Sequence, residues 1–196
     1  MNPEEKQMTE TESLQLITSM INKAKNRFNE TGMLYLLWGW LILACCVVQF
    51  VAIHFFNNNK TYYVWYSTWL LLIYQFFYLR KKKASRKVKM YTGEIIGFVW
   101  LVFLIMYALL VFILLYMNAG AVISPAILVM YGMPTFLSGI ILKFNPLKTG
   151  GICCWLLAIC SPFVTGEYQL LLIASAVIIA WIIPGYLLKQ KFKKEN

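Results

Sequence analysis

Ionisable side chains are what this chain has least of: 13% of its 196 residues are charged, and it holds one histidine, His54. None of the charged residues falls in the middle of the long apolar runs. A charge in hydrocarbon costs at least ~2.5–3.5 kcal/mol, and proton- or ion-coupled transporters keep such groups because their mechanism needs them. The scarcity argues against coupled transport and against catalysis. A serine or cysteine nucleophile needs a base beside it, and no His, Lys or Asp stands in the middle of a run to serve; His54 lies near the end of the first. Neither a Cys-x-x-Cys pair nor a nearby histidine accompanies Cys45, Cys46, Cys153, Cys154 and Cys160. Those cysteines are therefore read as packing residues rather than a soft-metal site, and no disulfide framework follows from them. The sequence predicts no enzyme, no catalytic residue, no cofactor and no metal.

What is abundant is apolar surface. Hydrophobic residues make up 60% of the chain, and the mean hydropathy of +0.64 lies far outside the soluble globular range. The apolar residues cluster into runs long enough to carry an α-helix across a ~30 Å hydrocarbon layer. Six spans are predicted, at 33–56, 61–79, 94–117, 125–144, 150–164 and 166–188. A β-barrel would alternate apolar and polar residues, whereas 109–115 and 170–174 are continuously apolar. Helices remain, because lipid satisfies no backbone hydrogen bond. The expected fold class is all-α: a polytopic membrane protein with a six-transmembrane-helix bundle at 33–188. Residues 1–32 precede it as a cytoplasmic amphipathic helix and 189–196 follow as a basic cytoplasmic tail. The first run is too long for a secretory signal peptide and lacks a small-residue cleavage site.

The positive charges sort with this division. Of 18 Lys and Arg residues, seventeen lie in the two tails and the even-numbered connections, and only Lys60 lies in an odd-numbered one. The positive-inside rule then places both termini in the cytoplasm of a bacterial cell, as six crossings of the inner membrane require. The formal charge of +10 is assigned to anionic lipid headgroups, at ~1 kcal/mol per residue, and not to nucleic acid. The run Arg80, Lys81, Lys82, Lys83, Arg86, Lys87 and Lys89 is the densest candidate contact, for headgroups or an acidic partner.

Thr9 and Glu12 form a capping box, after which Leu14, Ile17, Ile21, Ala24 and Phe28 recur at helical spacing. Lys25 and Arg27 flank that stripe, which suits a helix lying on the inner leaflet; a coiled-coil seam is the competing reading. Tyr35, Trp38 and Trp40, and Tyr62, Tyr63, Trp65, Tyr66 and Trp69, gather at run ends as interfacial anchors. Asn57, Asn58 and Asn59 predict a tight turn that folds spans one and two into an antiparallel hairpin, and Gln49 and Gln75 are expected to hydrogen-bond between helices. Gly93 with Gly97, and Ala176 with Ala180, are expected at close helix crossings.

The fourth and fifth spans look broken. Ser124 is expected to cap a helix beginning at Pro125, Gly132 and Pro134 to interrupt it, and Asn145-Pro146 to end it. A connection at 143–151 follows, then a short fifth span kinked by Pro162, and Thr165 is expected to cap the last helix with Glu167 in its first turn. Interrupted spans suit either a bent packed bundle or a transporter's solute site.

The stretches Tyr35-Leu36-Leu37-Trp38-Gly39-Trp40, Lys143-Phe144-Asn145-Pro146-Leu147 and Ile183-Pro184-Gly185-Tyr186-Leu187-Leu188-Lys189 resemble those of small uncharacterised six-span bacterial integral membrane proteins. The resemblance implies the same topology and no activity. The function expected is therefore non-enzymatic: an accessory or regulatory subunit acting through helix and cytoplasmic-face contacts with lipid, a protein partner or a second copy. The alternative is a small transporter or channel subunit for a neutral or lipophilic solute.

Overall fold

Continuous apolar sequence offers a helix no internal reason to stop, and the helical segments here begin before or end after the apolar runs that announce them. The computed structural model describes residues 10–57, 59–84 and 91–193, with side chains at 32–57, 60–78, 80 and 93–190. Helix α1 spans Glu10–Phe56 without a break, so the N-terminal amphipathic stretch joins the first span with no intervening loop. A seven-residue 3-10 segment, Asn59–Trp65, leads into α2 (Tyr66–Ala84). Then come α3 (Tyr91–Tyr116), α4 (Gly120–Ile141), α5 (Asn145–Cys160), α6 (Tyr168–Val177), a π turn at Ile178–Ile182 and α7 (Ile183–Lys193). Among the described residues there is no strand.

Five segments are long and apolar enough to cross a membrane: Gly32–Phe56, Gly93–Tyr116, Gly120–Ile141, Asn145–Phe163 and Tyr168–Gln190. The expected second span is divided instead between the 3-10 segment and α2, whose last turns carry Arg80 and the lysines after it.

Cross-helix contacts fix the directions. Trp38 meets Gln75, Cys45 meets Ser67, and Gln49 meets Trp65, so α1 and the 59–84 segment run antiparallel, as the asparagine turn predicted. Asn57 ends α1 in the left-handed region at φ 48°, a conformation asparagine tolerates well; Asn58 lies outside the described residues. Gly139 faces Lys148 and Gly132 faces Gly151, making α4 and α5 antiparallel. Gly32 faces Gly185 and His54 faces Glu167, which does the same for α1 and α6–α7. These registers bring Gly32, Arg80, Lys143, Lys148 and Lys189 to one end of the bundle. Lys60 is left at the other.

Glycines set the tightest contacts. A Cβ on Gly150 would lie 2.7 Å from the Ala180 Cα, and one on Gly39 would lie 2.8 Å from Ile182 Cγ1. Ala176 and Ala180 are fully buried, as their spacing suggested. Gly97 is not at a crossing: it is exposed, with nothing within 4 Å of the position its Cβ would take. Half of an 18-residue apolar stretch within Tyr168–Gln190 is buried, against 6% of the corresponding stretch in α3. The core is thus α1, α4, α5 and α6–α7, with α3 packed on α4 at its edge. The 59–84 segment is more peripheral still, with no buried residue among those described.

The broken spans are continuous. Helix α4 starts at Gly120, five residues before Pro125, because Ala121, Val122 and Ile123 carry no side-chain acceptor that could replace helical bonds in lipid. Pro134 lies inside the helix and fully buried. Its missing N–H frees the Met130 carbonyl, and the Trp155 indole donates to the adjacent Val129 carbonyl at 3.2 Å. Asn145-Pro146 starts α5 rather than ending α4, with proline in the first turn where its absent N–H costs nothing. The expected connection at 143–151 shrinks to a turn at 142–144, with Lys143 at φ 50°, and the fifth span is of normal length. Ser161–Phe163 forms a 3-10 turn where Pro162 was expected to kink the chain. Thr165 does not cap the last helix, whose N-cap position is Glu167. Pro184 accounts for the π turn before it: its ring opposes the Ala180 carbonyl four residues back, and the extra residue per turn relieves the clash.

Candidate functional site

The residues proposed to meet lipid or a partner are unevenly placed. Arg80 is exposed, and its guanidinium lies 4.2 Å from the centroid of the Phe76 ring one turn earlier, a cation–π contact that holds the charge beside the helix. Lys81, Lys82 and Lys83 lie in the last turn of α2, and Lys25 and Arg27 lie on α1; the side chains of all five are outside the described residues. Arg86, Lys87 and Lys89 lie outside them entirely. To these the fold adds exposed Lys143 and half-buried Lys148, on either side of the α4–α5 turn at the same end.

Above that end sits a polar and aromatic cluster that sequence reasoning did not assemble. Trp181, within the π turn, donates its indole N–H to Thr135 Oγ1 at 2.9 Å, and Thr135 donates in turn to the Tyr131 carbonyl at 2.8 Å. The Tyr131 and Trp181 rings lie 4.7 Å apart, and Trp100 meets both Trp181 and Tyr35 edge-on at 5.8 and 5.5 Å. Phe103 and Tyr107 extend the cluster along α3. Four helices are tied at one level in this way. The signal available in the sequence was Tyr131, Thr135 and Ser138, polar-tipped side chains four and three residues apart on one face of an apolar helix. Tyr35, expected at the interface, is 3% exposed and belongs to this cluster. Its hydroxyl has Ser138 and Trp100 as polar neighbours, yet neither the Tyr35 nor the Ser138 oxygen closes a hydrogen bond among the described residues.

Both glutamines bond across the hairpin as expected, and their partners are tryptophans read as anchors. The Trp38 indole donates to Gln75 Oε1, and the Trp65 indole to Gln49 Oε1. Trp40, Tyr62, Tyr63, Tyr66 and Trp69 remain exposed.

At the opposite end His54 Nδ1 lies 3.3 Å from Glu167 Oε1, with the imidazole stacked on Phe50. The Glu167 carboxyl is held below its ordinary range by its own backbone N–H and then by His54. All five cysteines are free; Cys45, Cys46 and Cys154 are buried, and Cys45 contacts Ser67 at 3.4 Å. Among the described residues no three His, Cys, Asp or Glu side chains converge on a point that could hold a metal ion. What the arrangement can do chemically is bind helices to one another and present cations at one end. No family model, curated protein or solved structure matches this chain.

Proposed function

We propose that this chain is a six-span protein of the bacterial cytoplasmic membrane with both termini in the cytoplasm. It works without catalysis, as an accessory or regulatory subunit that acts through contacts. The sorting of seventeen of eighteen cations to the tails and the even-numbered connections supports the orientation. For the second crossing, seven 3-10 residues and the fourteen α-helical residues to Leu79 reach about 35 Å, enough for the hydrocarbon layer. Lys25, Arg27 and the run from Arg80 to Lys89 then meet anionic headgroups of the inner leaflet, and a protein partner or second copy docks from the same side.

The observation that carries the contact reading is the closure of α4 on α5. A Cβ at Gly132 would fall 2.6 Å from Trp155 Cδ1, one at Gly139 would fall 2.7 Å from the Lys148 backbone nitrogen, and Pro134 is fully buried. Trp155 and Lys148 close the α5 side of the bend, where a solute path between the two helices would have to run. The transporter reading keeps one point in its favour: Pro134 and the π turn lie at the same level, joined by the Trp181–Thr135 bond, and both are departures from regular helix. Native mass spectrometry from mild detergent separates the two. A stoichiometric protein partner or a defined oligomer is the expected result, and a retained neutral solute without any partner would overturn the proposal.

A further inference from the structure

A groove of about 300 Å³ runs between α3 and α4 on the outside of the bundle. Its walls are Ile95, Phe98, Val102 and Met106 on one side and Met130, Met133, Pro134 and Leu137 on the other. From Ile95 to Met106 an α-helix rises about 16 Å, roughly half of a ~30 Å hydrocarbon layer. The half it covers is fixed by the registers. Helix α3 enters at Gly93 and α4 leaves at Ile141, so the groove occupies the half nearest the end where Arg80, Lys143 and Lys148 emerge.

We infer that this groove is a binding site for one acyl chain of an anionic phospholipid, taken from the leaflet at the basic end of the bundle. Three observations select that occupant. The depth matches a single leaflet, whereas a transmembrane helix of a partner or second copy would press on both halves of α3. The volume of about 300 Å³ is a space that a run of methylenes can fill. The wall is flexible where it needs to adapt: Met106, Met130 and Met133 have unbranched, polarisable side chains that repack around a chain. Charge selects the headgroup. Lys143 is exposed just beyond the end of α4. Glu94 opens α3 at this end, and among the described side chains Lys143 and Lys148, on either side of the turn that follows α4, outnumber it and favour a phosphodiester without a compensating amine.

The orientation of this leaflet rests on the function proposed above, but the groove does not. In a nanodisc both leaflets have the same composition, so a failed groove would leave the topology standing and a reversed topology would leave the groove standing. The probe is phosphatidylglycerol carrying a photoactivatable diazirine near the middle of one acyl chain, with the phosphatidylcholine analogue as comparison. The full chain in nanodiscs should be labelled several-fold more at Met106, Met130 and Met133 than at exposed Leu109, Phe112 and Ile113 farther along α3. Val102→Trp should remove the excess, while Leu109→Trp, equally bulky and outside the groove, should not. Lys143→Asn retains a residue suited to the left-handed turn and should bring phosphatidylglycerol labelling down to the phosphatidylcholine level. Even labelling over the whole lipid-facing surface of the wild-type protein would show bulk lipid only and overturn the inference, as would crosslinks at the groove to a second copy. Groove labelling equal for the two lipids would overturn the headgroup assignment.

Discussion

Replacing Gly150 by alanine puts the packing of the core to its sharpest test. The new methyl would sit 2.7 Å from Ala180 Cα, 3.3 Å from Ala180 Cβ and 3.3 Å from the Ile179 carbonyl oxygen. Two of those three atoms are backbone, so no rotamer change makes room, and α5 and the π turn have to move apart by about 1 Å to reach ordinary carbon–carbon separation. Overpacking of that kind costs about 1–3 kcal/mol, and for a chain of this size each kcal/mol lowers the thermal midpoint by about 2–4 °C. Gly150→Ala should therefore melt roughly 2–12 °C below the wild type in detergent, read by loss of the monodisperse peak after heating. Gly97→Ala is the control. With nothing within 4 Å of its Cβ it should melt at or slightly above the wild type, since alanine favours helix over glycine by up to about 1 kcal/mol. Equal losses at the two positions, or none at Gly150, would refute the claim that α5 and the last span touch backbone to backbone.

Three further outcomes follow from particular contacts. Pro134→Ala restores an N–H to the Met130 carbonyl but empties part of a buried site, so the two effects offset and stability should fall by less than about 2 kcal/mol; unchanged melting with loss of a co-purifying small molecule would favour a transporter instead. Gln75→Leu and Gln49→Leu each remove the acceptor of a tryptophan N–H across the hairpin and should each cost ~0.6–2 kcal/mol in thermal denaturation, whereas a free choice of water by the indoles would leave the midpoint unmoved. The Glu167 carboxyl, held below its ordinary value, stabilises the bundle above that value and loses its contribution as pH falls through the lower folded one; the midpoint of the wild type should drop more than that of Glu167→Gln between about pH 5 and about pH 3, and parallel curves would contradict the pairing.

The parts of this fold legible in sequence were those that depend on one local rule. Five of the six apolar runs gave helices long and apolar enough to cross a membrane, three asparagines gave a hairpin, and two glutamines inside apolar runs gave interhelical bonds because a polar side chain among apolar ones has to find a partner. Errors arose where one signal serves two structural roles. Asn145-Pro146 reads as the end of a helix from the residue before proline and as the start of one from proline itself; in the fold Lys148 seats against Gly139, a contact between helices that neither local rule takes into account. Trp38 and Trp65 stand where interfacial anchors stand, and only the register of the hairpin turns their N–H groups toward glutamines. Gly32 and Gly39, and Gly132 and Gly139, are seven residues apart and so share a helix face. That spacing was available in sequence, unlike the Trp100, Tyr131 and Trp181 cluster, which joins three helices far apart in the chain.

The central claim is that the chain crosses the membrane six times with its basic end in the cytoplasm, and its weakest link is the segment divided between 3-10 and α-helix. A reporter active only outside the cytoplasmic membrane, fused in turn after Asn58, after Lys87 and at Asn196, tests that link directly. The account predicts activity after Asn58 and silence at the other two. Activity after Lys87 would mean that residues 59–84 do not cross, and activity at Asn196 with silence after Asn58 would invert the topology and every assignment of a face that depends on it.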